Sequence, residues 1–469
     1  MRRALSLTLA GLLAGCTLAP TYQRPALPVP QAFPQGGAYQ AADADKALPP
    51  DWKSVFLDPR LQGLIETALK QNRNLRQTVA NVRAAHAQFE VQRAALFPMV
   101  NATGTMVQQH LPTVLGGGGF EPSRYYEASL GVSSYEVDLF GRLRSLSSEA
   151  FEQYLASDEG RRSAEISLAA EVADAYLTLA ADRELLAVSR DTQTSAQKSL
   201  DLTQGRFNAG VASELDVDQA QTVVQQARAN AASYAVSAAQ AKDNLDLLVG
   251  QVVAEDQTAS SMDEIATSFA PIRVGLNSSV LLERPDVLQA EHTLKAANAD
   301  IGAARAAFLP QITLTGQDGF ASTSLNGLFK GPNNSWSFTP SVTIPIFAGG
   351  RNLGNLHASK AQRDAAVAGY ENAVQSAFKD VADALASTGG TVEQVNAQQA
   401  LVVAANKALT LSNARYERGA DTYLNALDAQ RTFYAAQLGL VTARLSNLSG
   451  RVSLYRALGG WAPSSATDD

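Results

Sequence analysis

Prolines interrupt helices, and this chain leaves two very long stretches free of them: none lies between Pro122 and Pro271, and none between Pro345 and Pro463. Both gaps are filled with Ala, Leu, Gln, Glu, Asp and Arg, which suits helices far longer than the usual ~8–20 residues. A helix from about Gly141 to Phe207 would extend on the order of 100 Å at ~1.5 Å per residue. Such helices need flanking partners. Ile166, Ala169, Ala173, Tyr176 and Ala180 form one stripe at spacings of three and four, and Leu168, Val172, Ala175 and Leu179 form another beside it, so one helix can meet a neighbour on either side.

The chain also repeats itself. Leu200, Leu202, Arg206, Phe207, Gly210, Leu215, Ala220 and Gln221 match Leu409, Leu411, Arg415, Tyr416, Gly419, Leu424, Ala429 and Gln430 at one offset of about 209 residues. Phe97-Pro98 corresponds to Leu309-Pro310, and Asp138-Leu139-Phe140-Gly141-Arg142 corresponds loosely to Pro345-Ile346-Phe347 with Gly349-Gly350-Arg351. A period this long indicates a duplicated domain and not a solenoid unit. The expected divisions are 54–269 for the first half and 270–462 for the second, with 463–469 as a tail. Each half reads as helix, two strands, long helix, tight turn, second helix.

The strands are the clearest segments of period two. Trp336, Phe338, Val342, Ile344 and Ile346 alternate with Ser337, Thr339, Ser341 and Thr343; Val100, Ala102, Gly104 and Met106 alternate with Asn101, Thr103 and Thr105; Ile312 and Leu314 alternate with Thr313 and Thr315. That pattern fits a membrane β-barrel, apolar outside and polar within. Pro340 and Pro345 are awkward inside a strand because each removes a ladder donor. Two strands per half give four per chain, too few for a barrel whose minimum is about eight, so copies must contribute jointly, and three would supply about twelve. Residues 116–119 and 326–334 would be the exposed loops.

The amino terminus reads as an address. Arg2 and Arg3 precede an apolar run, residues 4–13, too short to span a bilayer but suited to a signal-peptide core. It ends in Leu13-Ala14-Gly15-Cys16, which resembles the lipobox of bacterial lipoproteins: cleavage between Gly15 and Cys16 and acylation of Cys16 are implied, and Thr17 in place of aspartate implies sorting to the outer membrane. Residues 1–15 are thus the expected signal peptide, and 16–53, punctuated by Pro20, Pro25, Pro28, Pro30, Pro34, Pro49 and Pro50, an extended lipidated segment.

Several function classes fall away. A net charge of -7 with both signs scattered along the helical stretches leaves no basic stripe for nucleic acid. His86, His110, His292 and His357 stand apart, with no pair at metal-binding spacing. The single cysteine can form neither an internal disulfide nor a zinc cage. No phosphate loop or serine elbow occurs, so no catalytic residue, cofactor or metal is expected; Asp138 and Asp286 read as capping or packing groups beside Gly141 and Pro285.

Four segments in order carry a family resemblance: Tyr135-Glu136-Val137-Asp138-Leu139-Phe140-Gly141-Arg142, Glu283-Arg284-Pro285-Asp286-Val287, Ala303-Ala304-Arg305-Ala306-Ala307-Phe308-Leu309-Pro310 and Tyr455-Arg456-Ala457-Leu458-Gly459-Gly460-Trp461. On these the chain resembles the outer membrane factors, the TolC-like efflux ducts, in their lipidated OprM/NodT branch. The resemblance implies a mixed, mainly α fold: a homotrimer with a twelve-stranded barrel in the outer membrane, a long α-helical barrel in the periplasm and an equatorial region between. It implies a passive exit duct for drugs or other small molecules, partnered by a periplasmic adaptor protein and a proton-driven inner-membrane pump. The segments at Arg206 and Gly210, and at Arg415 and Gly419, resemble the periplasmic tips where the adaptor docks; Gly210 and Gly419 also suit turn positions with positive φ. Asp428 falls where a gate carboxylate is expected, Asn425 where some members have another aspartate, and Asp216 where an acidic tip contact lies. Asp421 occupies a place that is basic in some relatives. A carboxylate ring would favour cations. Two other readings stay open, a protein-secretion duct and a periplasmic adaptor lipoprotein.

Overall fold

The computed structural model describes residues 17–37, 39, 51–109, 123–270 and 277–460. Cys16, the 116–119 loop, Trp461 and the tail lie outside the described residues. The elements run α1 (Pro59–Gln71), α2 (Arg73–Ala94), β1 (Val100–Gln109), β2 (Ser123–Glu136), α3 (Arg142–Asn208), α4 (Glu214–Val249), a one-turn α5 (Met262–Ile265), α6 (Pro285–Ala306), β3 (Gln311–Ser322), β4 (Asn334–Thr343), α7 (Arg351–Glu417) and α8 (Tyr423–Ala457). The fold is mainly helical with one four-stranded antiparallel sheet. Helices α3 and α7 are each 67 residues long and lie within the proline-free gaps. No helix among the described residues is long and apolar enough to cross a membrane.

The chain divides into two compact units, each drawing on both halves: one comprises residues 1–25, 81–158 and 289–370, the other 26–80, 159–288 and 371–469. The first unit holds the sheet, ordered β1-β2-β3-β4. Its register places Val100 opposite Val132, Ala102 opposite Leu130, Leu130 opposite Asp318, Ile312 opposite Val342 and Gly316 opposite Phe338. Directly opposed residues point to the same face, so most apolar positions of the four strands share one face and most Thr and Ser positions the other; Asp318 and Asn334 lie on the first face, and Val107 and Tyr125 oppose each other on the second. Val100, Met106, Leu130, Trp336, Phe338 and Val342 on the apolar face are all more than half exposed, as a lipid-facing surface should be in a single chain. A bulge between Val132 and Tyr135, with Ser134 at φ 56°, steps β2 by one residue before the helical region.

Strand β4 ends at Thr343, so Ile344 and Ile346 fall outside it, contrary to the alternation read from sequence. Pro345 explains the stop: it has no N–H to continue the ladder. Pro340 stays inside β4, opposite Leu314, where its missing N–H removes a single ladder donor.

In the first unit the chain at 17–25 runs extended along α6. Arg305 donates to the Leu18 carbonyl (2.9 Å), Asn298 to the Pro20 carbonyl (2.7 Å), and Tyr22 and Arg24 both donate to the buried Glu291 (3.1 and 2.8 Å). Burial alone would raise the Glu291 pKa, but the hydrogen bonds from Arg24 and Tyr22 and the charge of Lys295 hold it below the usual carboxylate value.

The second unit packs Phe56, Phe269, Tyr176, Tyr455, Leu61 and Ile65 as its largest buried side chains. Phe56 meets Phe269 and Tyr455 edge-on, with ring centroids 5.6 and 5.1 Å apart. Asp58 caps α1 by accepting from the Arg60 amide and also takes the buried Tyr176 hydroxyl at 2.7 Å. Both stripes foreseen on α3 are packed: Leu168, Ala169, Val172, Ala173, Ala175, Tyr176, Leu179 and Ala180 are buried.

Candidate functional site: the paired hairpin tips

The turns joining α3 to α4 and α7 to α8 lie in the second unit and share one backbone solution. Gly210 and Gly419 have φ of 73° and 70°. The Gly210 amide donates to the Phe207 carbonyl (2.8 Å) and that of Val211 to Arg206 (2.9 Å); Gly419 donates to Tyr416 and Ala420 to Arg415 (both 2.9 Å). Each is a Schellman closure, whose left-handed residue suits glycine because a Cβ there is strained.

Below the turns the two hairpins form one small core from Ala196, Ala220, Val223, Val224, Ala426 and Leu427 around Tyr416 and Tyr423. The tyrosine rings lie 5.3 Å apart, and the Tyr416 hydroxyl is 3.2 Å from Thr203. Arg206 crosses to the other hairpin: it donates to the Tyr416 carbonyl (2.8 Å) and its guanidinium lies 4.5 Å over the Tyr416 ring. Among the described residues the buried Tyr423 hydroxyl has no partner, and burial pushes its pKa up to about 12.

The second helix of each hairpin starts differently. Ser213 caps α4 with a reciprocal box: its hydroxyl accepts from the Asp216 amide (3.2 Å), while the Asp216 carboxylate accepts from the Ser213 amide (2.9 Å) and hydroxyl (2.8 Å). Asp216 therefore serves its own helix start. At the other tip Thr422 makes no side-chain cap. Asp421 instead accepts from Asn425 (2.7 Å), from the Thr422 amide (2.9 Å) and from Arg415 (3.0 Å). These three donors hold its carboxyl below the usual aspartate value.

Asn425 and Asp428 stand three residues apart on α8 and are both exposed, while Tyr423, Ala426, Leu427 and Gln430 are buried. The two polar side chains thus share the face turned away from the tip core. The structure brings Asp421, Asn425 and Arg415 together, keeps Asp216 with Ser213, and leaves Asp428 apart from these groups. Gly15 and Cys16 lie outside the described residues, but Thr17 is in place, its hydroxyl 3.3 Å from that of Ser145.

Sequence reasoning missed the Tyr416–Tyr423 pair and the Glu291 clamp. At the offset of about 209 residues Tyr423 aligns with Glu214, so an aromatic confined to one tip was the available signal. Glu291 gave none, because its partners lie 267 and 269 positions away. Asp138 behaves as foreseen, accepting from the Leu143 and Arg144 amides at the start of α3 (3.2 and 2.9 Å). Among the described residues no three His, Cys, Asp or Glu side chains converge as a metal site.

The sequence profile described as outer membrane efflux protein matches residues 64–251 and 276–460. The toluene efflux pump outer membrane protein TtgC of Pseudomonas putida is 44% identical over 455 residues, covering 96% of this chain and 94% of its own. The outer membrane protein OprJ of Pseudomonas aeruginosa is 42% identical over 456 residues, 97% of this chain and 95% of its own. Among solved structures, the open state of the MtrE outer membrane channel of Neisseria gonorrhoeae superposes with a TM-score of 0.86 at 36% identity, covering 95% of this chain and 98% of that one.

Proposed function

Because the chain belongs to the outer membrane efflux protein family, it is an outer-membrane exit duct of an efflux system and not an enzyme, and we propose that three copies share one barrel that receives small molecules from an inner-membrane pump through an adaptor docked at the tips. The observation that carries this reading is the sheet: four strands with one mainly apolar and one mainly polar face and, among the described residues, ladder partners for β1 and β4 on one side only. Four strands cannot close, open edges invite pairing, and three copies give about twelve strands, an even number within the range of membrane barrels. The repeat supports 54–269 and 270–462 as two copies of one unit, which would let three chains line a passage with six similar hairpins.

Arg206, Gly210, Arg415 and Gly419 are the adaptor-docking residues in this reading, supported by the recurrence of the same closed turn at both tips. Asp428 is the gate carboxylate, repeated three times around the passage and favouring cations; Asn425, Asp421 and Asp216 shape the same region. Cys16 carries the acyl anchor to outer-membrane lipid, and the clamp of residues 18–24 onto α6 holds the chain that follows it. Metabolic labelling with palmitate should mark the protein and fail to mark Cys16→Ser.

The deciding experiment is site-specific crosslinking in cells from positions beside Gly210 and Gly419. Capture of the adaptor of a proton-driven drug pump supports small-molecule efflux, capture of the adaptor of an ATP-driven protein exporter moves the cargo to protein, and no adaptor at all removes the docking assignment. For the gate, single-channel recording should show weaker cation preference in Asp428→Asn; undiminished preference would sink it.

A further inference from the structure

A cavity of about 310 Å³ opens in the second unit where α5 lies against α7 and α8. Met262, Ala266, Val392, Val395 and Leu448 give it apolar walls, and Arg444 and Arg451 reach it from α8. The two arginines are two helical turns apart and differently satisfied. Arg444 pairs with Asp263 at 2.6 Å and faces Glu184 at 3.7 Å. Arg451 donates to the Phe269 carbonyl at 2.7 Å, and among the described residues no carboxylate pairs with it. Burial lowers its pKa, the direction expected of a cation without a counter-charge.

A guanidinium has five N–H donors in a planar fork, and a partly buried charge is ordinarily paired. Here one donor is used on a backbone oxygen, and the fork lines a cavity whose remaining walls are mainly apolar, with Asn396, Asn447 and Arg444 among them. The cavity is of the size that small ligands occupy, mostly apolar with one oriented charge. We propose that this cavity binds a carboxylate-headed amphiphile with a medium-length alkyl chain, the carboxylate on the Arg451 fork and the chain along Val392, Val395 and Leu448. A monocarboxylate balances the single uncompensated charge and matches the fork in two parallel hydrogen bonds; a dianionic phosphate would need a second cation, and Arg444 is already taken by Asp263. The site shares no residue with the tips and does not rest on the docking or gate assignments.

The test uses the full-length assembly held in amphipathic polymer and two photoreactive probes, a diazirine-bearing decanoate and the corresponding decanol, with labelled peptides mapped by mass spectrometry. The decanoate should label the segments around Val392, Val395 and Leu448 at least about ten-fold more than the alcohol, the ratio expected of a charge-assisted hydrogen bond. Arg451→Met, which keeps the apolar volume, should abolish that preference, Arg451→Lys should retain part of it, and Val395→Phe should reduce labelling by both probes. Equal labelling by the two probes, a decanoate preference that survives Arg451→Met, or no labelling of these segments overturns the site. Should Arg451→Met fail to fold, the ratio in the unaltered protein and the Val395→Phe variant decide.

Discussion

The two hairpin tips have the same backbone and different chemistry. Both turns close through a left-handed glycine with the same two amide-to-carbonyl bonds. Beyond the glycine the first tip invests its polar groups in its own helix start, Ser213 with Asp216. The second leaves Thr422 without a side-chain cap and ties Asp421 to Arg415 and Asn425. The arginines diverge as well: Arg206 reaches the other hairpin, while its counterpart Arg415 bends to its own turn. A duplicated backbone thus fixes the shape of a tip, and a few substitutions decide whether its polar groups serve one helix or the turn as a whole.

The asymmetry continues up the long helices. At the repeat offset, Ala180-Ala181 of α3 align with Gly389-Gly390 of α7. The alanines are buried, whereas a Cβ at Gly390 would meet nothing within 4 Å. Packing therefore does not demand glycine there, and α7 carries a weak point that α3 lacks.

The largest effect should be shared by both tips. Gly210→Val and Gly419→Val should each cost about 1–2 kcal/mol, read as faster amide exchange in the turn, because a Cβ at either position meets open space and only the positive φ opposes it. A marked difference between the two variants would break the claim of a common backbone. Next, Ser213→Ala should cost about 1 kcal/mol and Thr422→Ala less than about 0.5 kcal/mol, measured by exchange in the first turns of α4 and α8. Equal losses would mean that the capping asymmetry has no energetic content.

Gly390→Ala should slow exchange across the middle of α7 by about 0.5–1 kcal/mol, and Ala181→Gly should loosen α3 by a similar amount. If Gly390→Ala loosens α7 instead, the glycine is there for packing. The smallest effect is acidic. Asp421 has a folded-state pKa below its unfolded value of about 3.9, so its contribution is present above that value and declines as pH falls through the depressed one. Protection from exchange at the second tip, relative to the intrinsic rate at each pH, should therefore fall toward low pH, and Asp421→Asn should flatten that fall while leaving the first tip unchanged.

The long helices were legible because proline is excluded from helix interiors, and the bounds read for α3, about Gly141 to Phe207, fall within one residue of its ends. The strands were legible because a period of two has no helical counterpart, and the register then put most apolar positions on one face. The end of β4 was misjudged, since alternation continues past Pro345 in the sequence although the ladder cannot. Asp138 could be assigned from its neighbours because a cap acts over a few residues, as with Leu143 and Arg144.

What the sequence determined by itself, then, is everything set by local chemistry: element type and length, the positions of the two turns, and the amphipathic alternation that calls for a closed barrel. Tertiary structure decided which distant groups meet. Arg206 lies over Tyr416, Glu291 clamps Tyr22 and Arg24, and Arg451 lines a mainly apolar cavity with no carboxylate partner among the described residues. The physical reason is that a helix or turn is stabilised by bonds among near neighbours in the chain, whereas a buried charge takes whichever partner folding brings within about 3 Å, and no spacing in the sequence encodes that distance.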